Sequence, residues 1–390
     1  MTPFFVAIFL LPLSSLATAA NFTQVYEWPE ELDYEWPSEK SRAQALADVT
    51  FKPAKLYPIY MAVYESRIFL SLYRYNRYIP ATLVSLPTSS ASSAPPLLTP
   101  FPSLEMNGEK NCSQIGEATG LQVDSVGRLW VLDGGSKNCN SKLWTIDLSN
   151  NDQTELVHEF SFQKWTHDLV LDETLNGTFA YIALWVKKHI VVFSLERNES
   201  WTVETPDIMV YSIALSPKKD QEPRQLYIGK YNSTELYSIS VDALRNGNLT
   251  ANPELVGNWT EIDSYSMLMD NQGTMLTAFS RKNFLSSWNT SQPFQEQRFH
   301  EVAGLKNDWP FTFTLDENET LWMTVFDKDR KPRFRLLKAG VGEKLFELEV
   351  SPELDAAGPG KENVVENVAQ SRILIDSIVF FAILLALAIL

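Results

Sequence analysis

The segment Trp165-Thr-His167-Asp168 is where side chains able to move protons stand together. A histidine titrates near neutral pH, and a neighbouring carboxylate could orient it as a general base. Consecutive residues on a strand point to opposite faces, however, so the pair is read as separated and His167 as a structural histidine. The four histidines, His158, His167, His189 and His300, show no metal-ligand spacing, and the two cysteines, Cys112 and Cys139, have no partners for a zinc site. Gly-x-Ser-x-Gly and a phosphate loop are absent. No catalytic residue, metal or cofactor is therefore assigned. Asp168 with Trp309, Phe311 and Phe326 is instead expected to line a ligand site, because aromatic faces suit an ammonium group.

The elements that must position these residues are written six times, each as an apolar strand, a turn and a second apolar strand. The copies begin at Ile59, Leu121, Asp168, Ser212, Met267 and Phe313. They recur about 44 to 62 residues apart, the spacing of propeller blades. No copy can bury both faces alone, so the fold class is all-β, a six-bladed β-propeller over residues 57–350. Asp124, Asp172, Asp270 and Asp316 recur at the turn between the first two strands of a blade, where a short carboxylate can bond its own backbone. They are read as turn residues rather than catalysts. Ligands of propellers sit at one end of the central channel. Calcium there would have Asp168 and Asn307 or Asp308 available, but no complete ligand set can be named.

Both ends of the chain carry targeting patterns. Residues 1–20 are apolar and finish in Ala17-Thr-Ala-Ala20, a signal peptide cleaved after Ala19 or Ala20. Residues 21–56 form an aromatic, acidic extension that covers the propeller or closes its ring. A polar spacer, 351–372, precedes an apolar tail, 373–390. Its uninterrupted apolar part is short for a span of about twenty residues. The pattern of small residues, spacer and tail fits a glycolipid anchor with Asp355, Ala356, Ala357 and Gly358 as candidate attachment sites, and a transmembrane tail is the alternative. Nine glycosylation sequons begin at Asn21, Asn111, Asn176, Asn198, Asn232, Asn248, Asn258, Asn289 and Asn318. In an oxidising compartment Cys112 and Cys139 are expected to form one disulfide. The expected location is the secretory pathway and then the cell surface. A net charge of -15 excludes a phosphate-seeking nucleic-acid binder.

The chain resembles the insect yellow and major royal jelly proteins. The resemblance is carried by Arg77-Tyr-Ile-Pro-Ala-Thr-Leu83, by Gly127-Arg-Leu-Trp-Val-Leu-Asp-Gly-Gly135 followed by Cys139, by Ile213-Ala-Leu-Ser-Pro217 and by Met269-Asp-Asn-Gln-Gly273. It runs with gaps from about Tyr57 to Phe326. It implies a secreted six-bladed propeller, whose members include binders of biogenic amines, nutritive and cuticle proteins, and proteins credited with dopachrome conversion. The chain departs from the family's last blade: the ligand-lining phrases read Trp309-Pro-Phe-Thr312 and Trp322-Met-Thr-Val-Phe-Asp327 here, with Val325-Phe326 in place of a Ser-Asn pair. The second disulfide of many relatives is absent.

The expected function is non-catalytic binding of a small molecule, a biogenic amine or related aromatic, by an extracellular propeller attached to the membrane through its tail or a lipid. The alternative is a dopachrome-converting, tautomerase-like enzyme. The oligomeric state is not assigned.

Overall fold

The computed structural model describes residues 22–340 except 75–77, 91–93, 109–110, 186, 220–222, 248–249, 281, 302–308 and 327–333; of the side chains of 299–301 and 309–311 nothing is said. The chain divides into the units Met1–Glu347 and Leu348–Leu390, and the second lies outside the described residues. The spacer, the tail and the attachment candidates Asp355, Ala356, Ala357 and Gly358 therefore lie outside them too, as do the signal segment, Asn21 and Asn248.

Six antiparallel four-stranded sheets form a six-bladed propeller. Their innermost strands are Pro58–Tyr64, Ala118–Val123, Thr166–Thr174, Val210–Leu215, Ser264–Met269 and Trp309–Leu315, one for each of the six repeats. The second strand of each blade is its most apolar: Arg128–Asp133 and Thr274–Phe279, for example, are buried along nearly their whole length. A strand between two others within a sheet, with sheets packed on both faces, has no wet side, so its run of Leu, Trp, Val and Met reads continuously rather than alternating. The four strands of the last blade include Thr23–Trp28 from the N-terminus, which pairs with Phe334–Gly340 as the outermost strand. Tyr26 and Trp28 of that strand donate to the carbonyls of Pro87 and Pro96 in the first blade's outer region.

Three of the four recurring aspartates act as their position suggests. Asp124 accepts from the backbone amides of Val126 and Arg128, and Asp270 and Asp316 do the same in their own turns. Asp124 and Asp316 also take the indole N–H of Trp130 and Trp322, tying the turn to the buried second strand. Asp172 differs: the turn after it is longer, and its carboxylate receives Tyr181 and two arginines, Arg224 and Arg245.

Cys112 and Cys139 form a disulfide with Cα atoms 5.3 Å apart. Seven sequon asparagines, Asn111, Asn176, Asn198, Asn232, Asn258, Asn289 and Asn318, are exposed. Among the described residues no helix is long and apolar enough to cross a membrane.

Candidate functional site at the channel axis

Each innermost strand carries one extra residue near its start. The pairing with the second strand skips Ile59, Thr119, His167, Tyr211, Tyr265 and Phe311 in turn. Such a bulge breaks the two-residue alternation and re-aims a side chain. Six bulges at one level make a ring around the axis, and four of its members are aromatic or imidazole. The residues that follow them are Tyr60, Gly120, Asp168, Ser212, Ser266 and Thr312.

The ring closes across the channel. Tyr60 of the first blade and His167 of the third lie 6.0 Å apart, centroid to centroid, although their blades are not neighbours. His167 packs at 4.8 Å on Tyr211 of the fourth blade. Tyr265 of the fifth joins them, its field being felt at Tyr60 along with those of Asp168 and Tyr211. Only across the axis can the first, third and fifth blades meet, so these side chains form an aromatic septum in the channel. Between the septum and the end where the first two strands of each blade turn lies a cavity of about 750 Å³. Tyr60, Asp168, Ser266 and Thr312 line it at the septum; Asp124, Lys218, Asp270 and Asp316 line its mouth.

Electrostatics single out Asp168. It sits deep in the ring yet keeps part of its surface open to the lumen. Burial pushes its carboxyl up to about 7, against two backbone N–H groups, Ile213 at 3.0 Å and Leu169 at 3.0 Å, that favour the ionised form. No salt bridge to Asp168 is found among the described residues. Burial lowers the neighbouring His167 to about 4, opposed by its hydrogen bond to the Tyr211 carbonyl, so the imidazole is neutral. Its Nδ1 has no partner among the described residues, and neither has Trp185 Nε1. Burial raises Tyr211 to about 12, and Tyr60 and Tyr265 well above the usual phenol range. All three phenols are neutral at physiological pH.

Towards the opposite end the rings continue outward. Trp185 lies 6.4 Å from His167 and 6.1 Å from Tyr231, and the half-exposed Trp165 lies 6.0 Å from Trp185. Lys164 and Trp165 both adopt left-handed backbone, at φ 59° and 69°. That conformation is costly for residues with a Cβ, and it is held here by Lys164 N–H on the Gly134 carbonyl and Trp185 N–H on the Trp165 carbonyl.

Of the residues expected to line a site, Asp168 stands at its centre. Phe326 packs at 5.5 Å on Tyr57 and 4.9 Å on Phe334 in the core, away from the cavity wall. Trp309 and Phe311 lie on the last blade's innermost strand, and Phe311 is its bulged residue, but their side chains are outside the described residues, as are Asn307 and Asp308. Both residues lie near Tyr60, His167 at 6.0 Å between rings and Asp168 through its charge, but only Asp168 lines the cavity while His167 packs on Tyr211 and Trp185. Sequence reasoning missed Tyr60, Trp185, Tyr211 and Tyr265. A signal was present in His167-Asp168, Tyr211-Ser212, Tyr265-Ser266 and Phe311-Thr312, an aromatic ring followed by a short polar residue at the start of four repeats.

Comparison with known proteins agrees with this architecture. The family model described as "Major royal jelly protein" matches residues 117–210 and 207–336, more than half of the chain. "Protein yellow" of Drosophila guanche is 24% identical over 380 residues, covering 86% of this chain and 66% of that protein. The chain thus spans just under two thirds of that relative. "Protein yellow" of Drosophila melanogaster is 23% identical, covering 88% of this chain and 72% of the relative. Among solved structures, a chain in the "Crystal structure of Nidogen/Laminin Complex" superposes over 72% of this chain and 91% of its own at 10% identity and a TM-score of 0.44, too loose a likeness to carry meaning.

Proposed function

We propose, from the premise that the chain belongs to the major royal jelly protein family, that it binds a small cationic aromatic molecule in its central channel, without catalysis. The observation that carries this reading is Asp168 against the aromatic septum. A lumen-facing carboxylate with no cation of its own among the described residues, beside Tyr60, supports an ammonium by charge and by cation–π attraction. The cavity size falls within the range of small-molecule sites. A biogenic amine has both the charge and the ring. Val325 and Phe326 of the altered last blade lie off the cavity wall, to which that blade contributes Thr312 of its innermost strand.

Extracellular display is part of the proposal. The disulfide and the seven exposed sequon asparagines support a secretory route, and the tail supports surface attachment. Phosphatidylinositol-specific phospholipase should then release the protein from cells; persistence at the treated surface refutes the glycolipid and leaves a spanning tail.

Calorimetric titration of the purified protein with catecholamines, indoleamines and dopachrome tests the ligand. Binding of an amine that weakens at least ~tenfold in Asp168→Asn supports the site, and binding untouched by that change places it elsewhere. A second reading rests on the same pair: a carboxyl near 7 next to a neutral imidazole is what proton transfer at neutral pH requires. Acceleration of dopachrome decay, lost in His167→Ala, would establish the tautomerase reading over simple binding.

A further inference from the structure

A second cavity, of about 640 Å³, lies beside the mouth of the channel between the third and fourth blades. It shares Ser125, Glu173, Lys218 and Arg224 with the channel cavity. At its base the fully buried carboxylate of Asp172 receives both Arg224 and Arg245. Arg224 Nε is spent on the Ser216 carbonyl and Arg245 Nε on the Tyr181 hydroxyl. A guanidinium has five N–H donors, so each arginine keeps donors beyond these bonds. The two arginine side chains are about one-fifth exposed, at 17% and 22%, and burial lowers both from their ordinary value.

Two guanidinium charges thus rest on one buried carboxylate. Glu173 is turned to Ser125, accepting from its amide and hydroxyl, and Asp242, 3.8 Å from Arg245, is mostly in solvent. Lys218 is exposed at the rim and lines both cavities. Two guanidinium groups over one carboxylate stand out in a chain whose net charge is -15, although Glu173, whose charge is felt at Arg224, and Asp242 line the same cavity and balance its charge overall. Among the other turn aspartates, Asp124 holds its turn amides, an indole and one arginine, Arg128, and Asp316 holds its turn amides and an indole.

We propose that this cavity is an oxyanion site, taking a sulfate, phosphate or carboxylate group on the free edges of Arg224 and Arg245 with Lys218 closing from the rim. Planar guanidinium edges match such oxyanions in geometry as well as charge. The site is separate from the amine site at the septum and does not depend on it.

Thermal melting of the full-length protein in sodium sulfate, sodium phosphate and a sulfated monosaccharide, each against sodium chloride at equal ionic strength, tests the proposal. Specific binding raises Tm by ~2–4 °C at saturating anion. The sulfated sugar acting at lower concentration than free sulfate or phosphate identifies a sugar-borne group as the ligand, and the reverse order identifies the free ion. Lys218→Glu, a rim change that leaves the floor intact, should remove most of the shift. Arg245→Gln, checked for folding by near-ultraviolet circular dichroism, should remove the rest. A shift no larger than chloride's, or one that both variants leave unchanged, overturns the site.

Discussion

At the scale of the residue, Asp168 links the site to pH. Its folded carboxyl is raised to about 7 from an ordinary 3.8, so between these values the folded state holds a proton that the unfolded chain has released. Stability contributed by that proton is present below about 4 and is lost as pH rises to about 7. Asp168→Asn should therefore flatten the dependence of Tm on pH and stabilise the protein above pH 7 by about 1–2 kcal/mol, less than full burial implies because the lumen is open. Melting curves at pH 5 and pH 8 check this, and a wild-type profile as flat as the variant's contradicts the buried carboxyl. Ligand binding has the opposite sign: an ammonium prefers the ionised carboxylate, so affinity should fall as pH drops below about 7. Asp124 makes a different case. Its two oxygens hold the turn amides, the Arg128 side chain at 2.7 Å and the buried Trp130 indole at 2.8 Å. Asp124→Ala leaves that indole unpaired and should cost about 3 kcal/mol in urea denaturation.

At the scale of the element, the bulges matter more than the strands they interrupt. A regular inner strand would alternate its side chains between the two faces of its blade, whereas the extra residue in each strand shifts that alternation at the level of His167, Tyr211 and Tyr265. The N-terminal strand Thr23–Trp28 acts on the whole ring, because it completes the last blade and reaches the first through Tyr26 and Trp28. Removing it uncovers Phe334–Gly340 as a free edge, which invites pairing between molecules. A chain lacking residues 23–28 should melt about 10 °C lower or more and associate, as light scattering would register. The disulfide closes a loop between residues 27 apart in sequence. Its replacement by serines should lower stability by about 3 kcal/mol on loop-entropy grounds, with chemical denaturation as the measure. The same loop supplies the Gly134 carbonyl that holds Lys164, so Trp165 should lose its fixed environment in that variant.

At the scale of the molecule, six sheets around an axis turn distant parts of the chain into one site. Tyr60 and Tyr265 are about two hundred residues apart in sequence, and both feel the charge environment of the same septum. The channel is stopped by aromatic rings at one level and opens through a polar mouth at the other, with the arginine-floored cavity beside that mouth. Sequon asparagines are spread over blades three to six, with Asn111 between the first two blades. Glycosidase treatment of protein from secreting cells should lower its mass by several glycans; an unchanged mass contradicts the secretory route.

The repeat, the blade number, the turn role of Asp124, Asp270 and Asp316 and the cysteine pairing were legible in the sequence. Each rests on local grammar: apolar runs of strand length, a carboxylate placed to bond its own turn, two cysteines with no other partner. The family resemblance was legible as well, through Gly127–Gly135 and Ile213–Pro217. What lay beyond reach was where side chains converge. Asp172 looks like its three counterparts, and only the packing of blade three against blade four delivers Arg224 and Arg245 to it. Phe326 looks like a wall residue and is core, because Tyr57 and Phe334 meet it there. The septum depends on one-residue shifts in pairing, and such a shift is a property of two strands rather than of one. Local sequence therefore determined the blades, and closure of the ring decided which of their residues face each other across the axis.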